Sequence, residues 1–152
     1  MNYDLLDQQL RSLSEGISYD ITILANASAL IWDALEGLNW CGFYLFRENA
    51  LLLGPFQGKV ACTRIPMGRG VCGTAAEQGR TVVVPDVHRF PGHIACDSAS
   101  NSEIVIPLYR KGTLFGVLDI DSPLFDRFSP EDTAGLEKLA RTVEAALEEE
   151  IM

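Results

Sequence analysis

What the 152-residue chain lacks narrows the field first. No apolar run approaches the roughly 20 residues that span a bilayer as a helix, so no membrane partner is expected. Lys and Arg number 12 against 21 Asp and Glu, for a net charge of −9, and they are scattered instead of clustered. That removes the basic footprint by which proteins hold nucleic acid or anionic membrane surfaces. There is no CxxC pair, and the spacings from Cys62 to Cys72 and from Cys72 to Cys96 match no standard zinc pattern. His88, His93 and Cys96 are close enough in sequence to supply three ligands, but no second CxxC or HxH accompanies them, and no metal is expected. Repeats, low-complexity tracts and linkers are also missing, so one domain spanning 1–152 is expected. The N-terminal "MNYDLLDQQLRSL" has acids where a signal would have a basic region and lacks an apolar core, which points to the cytoplasm. In that reducing compartment the four cysteines should be thiols, and a disulfide among them transient and catalytic.

What is present is an ordinary globular composition, with 47% hydrophobic residues and enough chain to bury a core without staples. Ile21, Leu24, Ala25, Ser28, Ile31, Trp32 and Leu35 recur at helical spacing between Asp20, a candidate N-cap, and Gly37. A shorter helix, Tyr3 to about Ser14, precedes it with Leu6, Leu10 and Leu13 on one side. "SPEDTAGLEKLARTVEAALEEE" closes the chain, with Ser129 as N-cap, Pro130 in the first turn and a stripe of Leu136, Leu139, Ala140, Val143 and Leu147. Between them "WCGFYLF", "ALLLGPF", "TVVVPDV", "EIVIPLY" and "TLFGVLDID" read as strands. "GVCGTAAEQG" reads as a short helix stopped by Gly79. The fold class is α+β, with helices from both ends covering one side of a mainly antiparallel sheet.

Candidate chemistry gathers on the last two strands. Asp119 and Asp121 are two apart and share a face, and a hairpin pairing about Lys111 puts Glu103 opposite or nearly opposite Asp119. Such acids either lie at a solvated strand end or line a pocket that binds an ammonium group and keeps one acid protonated. Cys41, inside an aromatic strand, reads as a core residue. Cys62 and Cys96 belong to polar or glycine-containing connections, and Cys72 falls in the first turn of a helix whose dipole would favour its thiolate. Three cysteines so placed suit redox chemistry better than packing. Trp40 and Tyr44 share a face of the first strand; core is their default, and a pocket wall for a small apolar group is the alternative.

Over nearly its full length the chain resembles the free methionine-(R)-sulfoxide reductases, stand-alone enzymes built on the GAF fold. The resemblance rests on "LNWCGFYLF", on "LGPFQGKVACTRIPMGRGVCGTAAEQGRTVVVPDVHRFPGHIACDSASNSEIVIPL" and on "GVLDIDSPLFDRFSPED". It implies Cys96 as nucleophile, Cys62 as the likelier resolving cysteine and Cys72 as an alternative or auxiliary partner. It further implies a pocket of Glu103, Asp119 and Asp121 with Trp40 and Tyr44 as its aromatic wall. Free methionine-(R)-sulfoxide would be the substrate, and an external dithiol such as thioredoxin would take the place of a bound cofactor. Pairing of two copies through the leucine-bearing terminal helices is a further expectation. The competing reading is a GAF sensor module that binds a nucleotide or other small ligand without turning it over.

Overall fold

A computed structural model of the chain describes residues 1–94, 96 and 98–148. The hydrophobic periodicities resolve into four α-helices, α1 (Tyr3–Ser14), α2 (Asp20–Ala34), α3 (Gly70–Gln78) and α4 (Pro130–Glu148), and a six-stranded sheet. Its strands are β1 (Trp40–Arg47), β2 (Ala50–Gly58), β3 (Arg64–Pro66), β4 (Val82–Val84), β5 (Ser102–Arg110) and β6 (Thr113–Ser122). They lie in the order β3-β2-β1-β6-β5-β4, each neighbouring pair antiparallel. The expected α+β class and antiparallel sheet are therefore what the chain forms. β3 was not among the expected strands, because three residues are too few for a period to show.

Alternation along the strands divides the apolar residues between two cores. Cys41 and Phe43 on β1, Ile104, Ile106 and Leu108 on β5, and Leu118 and Ile120 on β6 face α1, α2 and α4. Trp40, Tyr44, Val105 and Val117 face the other way, toward α3. The helices from the two ends thus cover one side as expected, and α3 covers the other together with Val87, Phe90 and Ile94. The α4 stripe is buried as predicted, and its start is a reciprocal cap: Asp132 N donates to Ser129 Oγ at 3.0 Å and Ser129 N to Asp132 Oδ2 at 3.1 Å.

Two helix faces are rotated from their expected positions. α1 buries Tyr3, Leu6, Asp7, Leu10 and Ser14, while Leu13 stays exposed. α2 buries Ile23, Leu24, Ala27, Ser28 and Ile31 and exposes Ile21 and Ala25. With three or four apolar residues per two turns, several overlapping stripes satisfy one periodicity, and packing against β1 and β2 selects among them. Asp20 does not cap α2 either, since Tyr19 holds the N-cap position; its carboxylate pairs with Arg110 at 2.5 Å instead.

The β5–β6 hairpin turns through Lys111 and Gly112, both at positive φ (52° and 78°), with Arg110 paired to Thr113. A bulge between Leu108 and Tyr109 then shifts the register, so that Glu103 lies opposite Asp121 and Val105 opposite Asp119. The expected pairing of Glu103 with Asp119 is corrected by two residues. Gly116 allows β1 and β6 to meet closely: a Cβ there would lie 2.2 Å from the Tyr44 carbonyl oxygen. Gly116→Ala should therefore cost roughly 1–3 kcal/mol, the range for an added methyl that forces the backbone to shift. The check is urea denaturation, with a lower midpoint and an unchanged slope.

Candidate active site

The α3-facing side of the sheet has a gap in its apolar cover, and the acids fill it. Trp40 lies across from Asp121, Gly42 from Asp119 and Tyr44 from Val117, so β1 offers two rings flanking a position without a side chain. Gly42 is needed there because a Cβ would come 2.3 Å from Cβ of Phe56, whose ring stacks on Trp40 at 5.1 Å. Trp40 and Tyr44 are themselves 5.7 Å apart, centroid to centroid, and both are buried.

Glu103, Asp119 and Asp121 are 7%, 5% and 9% exposed, which rules out a solvated strand end. Glu103 is within hydrogen-bonding reach of both aspartates, and burial, followed by the neighbouring charge of Asp119, pushes its carboxyl well above its ordinary 4.5. Burial also raises Asp119. One oxygen of Asp119, Oδ1, is buried without a hydrogen-bond partner among the described residues. At the acids' other side, the Cys72 thiol of α3 donates toward Glu103 Oε2 at 3.9 Å. Burial drives this thiol well above its usual range, with Asp119 and Glu103 adding to the effect. The expected help from the helix dipole is thus outweighed, and Cys72 is a protonated thiol.

Cys62 and Cys96 sit at the rim, joined as a disulfide with their Cα atoms 5.4 Å apart. The Cys62 segment is held by the aromatic wall: Trp40 Nε1 donates to the Lys59 carbonyl at 3.2 Å and Tyr44 Oη to the Cys62 carbonyl at 2.9 Å. Cys96 comes from the long connection between a 3₁₀ turn, Val87–Arg89, and β5. That connection is closed at its base by Asn101, whose carbonyl accepts from Val87 N at 2.9 Å and whose N–H donates to Ser122 at 2.7 Å. Cys41 is buried in the opposite core, as expected, and takes no part.

A cavity of about 40 Å³ lies between rim and floor. Seven of the eight candidate residues line it, and the eighth, Cys62, is joined to it through its bond to Cys96. Sequence reasoning missed Arg69 at the N-cap of α3, and Ser100, which accepts from Asn39 Nδ2 at 3.0 Å. Neither has a distinguishing neighbour in sequence; only the fold brings them in. His93, weighed as a metal ligand, is a cavity wall residue, and its imidazole is held below its ordinary range, first by burial and then by His88. His88 instead bonds Asn101 through Nε2 at 2.8 Å, so the supposed His88, His93 and Cys96 set does not converge as a ligand cluster among the described residues.

An antiparallel sheet with one small helix over a pocket on one face and terminal helices on the other is the GAF architecture, and residues 5–147 match the GAF domain family. The chain is 52% identical over 145 residues to the free methionine-R-sulfoxide reductase of Escherichia coli, covering 95% of this chain and 88% of that one. It superposes on the reduced form of fRMsr of Staphylococcus aureus with a TM-score of 0.94 at 53% identity, covering 96% and 95% of the two chains. Against the Neisseria meningitidis free methionine-R-sulfoxide reductase in complex with its substrate the TM-score is 0.92 at 44% identity, with 96% and 88% covered. The chain belongs to the GAF domain family and, within it, to the free methionine-R-sulfoxide reductases.

The raised carboxyl has a consequence for stability. Because Glu103 binds its proton more tightly folded than unfolded, its contribution is fully present below the unfolded value near 4.5 and is lost as pH rises through the folded value. Glu103→Gln, which keeps the shape and removes the titration, should flatten the fall in thermal midpoint above pH 5 and give the more stable protein at neutral pH. Midpoints measured from pH 5 to 8 for both proteins test this; parallel curves would refute it.

Proposed function

We propose that this chain reduces free L-methionine-(R)-sulfoxide to L-methionine, with Cys96 as nucleophile and Cys62 as resolving cysteine. The observation that carries the reading is the disulfide between these two residues at the rim of a pocket whose floor is acidic. A module that only senses a ligand has no use for a covalent bond across its own pocket mouth.

The substrate is a zwitterion with a polar sulfur–oxygen group. Its ammonium matches Asp119, whose Oδ1 has no other partner among the described residues. Its S-methyl group suits the Trp40 and Tyr44 wall. The Cys96 thiolate attacks the sulfoxide sulfur while a protonated carboxyl, Glu103 or Asp121, gives a proton to the oxygen. Methionine leaves, and the oxygen ends on Cys96 as a sulfenic acid; the sulfur of the substrate has gained two electrons and Cys96 has lost them. The Cys62 thiol then condenses with the sulfenic acid, forming the disulfide and releasing water. An external dithiol of the thioredoxin type exchanges with that disulfide and restores both thiols, so no bound cofactor is required. This cycle suits a reducing compartment such as the cytoplasm.

With the disulfide closed, about 40 Å³ admits water but no amino acid. Reduction frees the Cys96 connection from Cys62, and substrate enters the opened pocket. Cys72 serves as a hydrogen-bond donor to the floor, since a buried thiol pushed upward by two acids is a poor nucleophile. Two copies would pair through the outer face of α1, where Leu5 and Leu13 are 50% and 44% exposed.

Two measurements test the reading. In a single turnover without reductant, Cys96→Ser should release no methionine, whereas Cys62→Ser should release about one per chain and then fail to cycle with thioredoxin. If Cys72→Ser behaves in that second way and Cys62→Ser does not, the resolving role moves to Cys72. Second, an N-acetylated or peptide-embedded methionine sulfoxide lacks the ammonium and would leave buried charge unpaired, so the free amino acid should be turned over at least 100-fold more efficiently. Equal efficiency would remove the ammonium site.

A further inference from the structure

The pocket floor brings together a thiol and two carboxyls from three rigid elements: Cys72 from α3, Glu103 from β5 and Asp119 from β6. One ligand atom from each lies within 4.8 Å of the other two, and all three residues are buried. The Cys72 sulfur is 3.9 Å from Glu103 Oε2, close to the separation of two ligands on one tetrahedral ion with a sulfur bond of about 2.3 Å and an oxygen bond of about 2.0–2.2 Å. Asp119 is 5% exposed, lines the cavity and keeps Oδ1 without a hydrogen-bond partner among the described residues, so its carboxylate has a buried oxygen left to satisfy.

We propose that Cys72, Glu103 and Asp119 form a binding site for a thiophilic divalent cation of the zinc and cadmium class on the pocket floor. One sulfur with two carboxylate oxygens favours such ions over magnesium or calcium, which take oxygen ligands alone. The cavity side supplies a fourth, open position for water. Coordination replaces the Cys72 thiol proton and the proton carried by Glu103 with the metal and releases both to solvent, with no oxidation or reduction. Because the three ligands stand on helix and strands, the site does not depend on whether Cys62 and Cys96 are bonded. A cation there occupies the place that a substrate ammonium would otherwise take, so the metal would block the pocket; that consequence, unlike the site itself, rests on the proposed function.

The disulfide form of the whole chain gives the cleanest test, because Cys62 and Cys96 are then unavailable and Cys41 lies in the opposite core. Cadmium added alone, without reductant, should produce the ultraviolet absorption of a thiolate–metal bond and saturate at one ion per chain. Cys72→Ser should abolish the band and Cys41→Ala should keep it. The near-isosteric Asp119→Asn and Glu103→Gln should each weaken binding at least tenfold, with circular dichroism confirming that each variant is folded. Magnesium should neither bind nor compete. No band at millimolar cadmium would overturn the site. So would a band that survives Cys72→Ser, or affinity indifferent to both carboxylate substitutions, which would mark a lone thiol.

Discussion

Three carboxyl groups buried side by side on adjacent strands are the constraint to which the rest of the molecule answers. Two unit charges 4 Å apart interact by about 4 kcal/mol at the effective dielectric of a protein interior, so the cluster cannot ionise fully. Protonating Glu103 relieves part of the repulsion, and the pairing of Glu103 with Asp121 across β5 and β6 keeps the groups from moving apart. Holding such an arrangement requires a sheet that is itself over-determined. The terminal helices provide this by packing Ile104, Ile106, Leu118 and Ile120 on the face opposite the acids.

The same sheet positions the cysteines through its aromatic residues. Trp40 and Tyr44 stack over the pocket, and their polar atoms reach past it to the backbone of Lys59 and Cys62. Each ring thus has two duties, one apolar and one as a donor, which is how a buried Trp or Tyr satisfies its polar end. Cys62 is thereby fastened to the rigid part of the molecule. The connection that carries Cys96 is tied at its base through Asn101, and the proposed cycle asks Cys96 to meet both the substrate and Cys62.

Much of this was legible in the sequence, and the parts that were not share a cause. Long periodic elements such as α4, with Ser129, Pro130 and the stripe from Leu136 to Leu147, follow from local chemistry, and so does Gly79, which ends α3 at a φ of 66°. The faces of α1 and α2 do not, because Leu13 and Ile21 fit the helical period and still lose to Tyr3 and Ile23 when the helices dock. The hairpin shows the same limit at finer scale. Its turn was legible within one residue at Lys111 and Gly112, but the bulge between Leu108 and Tyr109 was not, and it changes the partner of Glu103. Site residues carrying a reactive group could be picked from a sequence; Arg69 and Ser100 could not, since only tertiary structure brings them to the cavity.

Cys72 shows why a motif position and a chemical role are separate matters. Its place in the first turn of α3 would lower the pKa of an exposed thiol, yet here desolvation and two acids act in the opposite direction and prevail. α3 can bring it so close to the floor because the helix is built from small residues: a Cβ at Gly73 would lie 2.6 Å from the Pro66 carbonyl oxygen. The close approach that lets the thiol donate to Glu103 is also what strips it of solvent and of nucleophilicity. Cys62 and Cys96, at the rim and only partly buried, escape that desolvation, which suits the redox roles proposed for them. The burial that deprives Cys72 of nucleophilicity is thus the physical ground for proposing that the chemistry falls to Cys62 and Cys96.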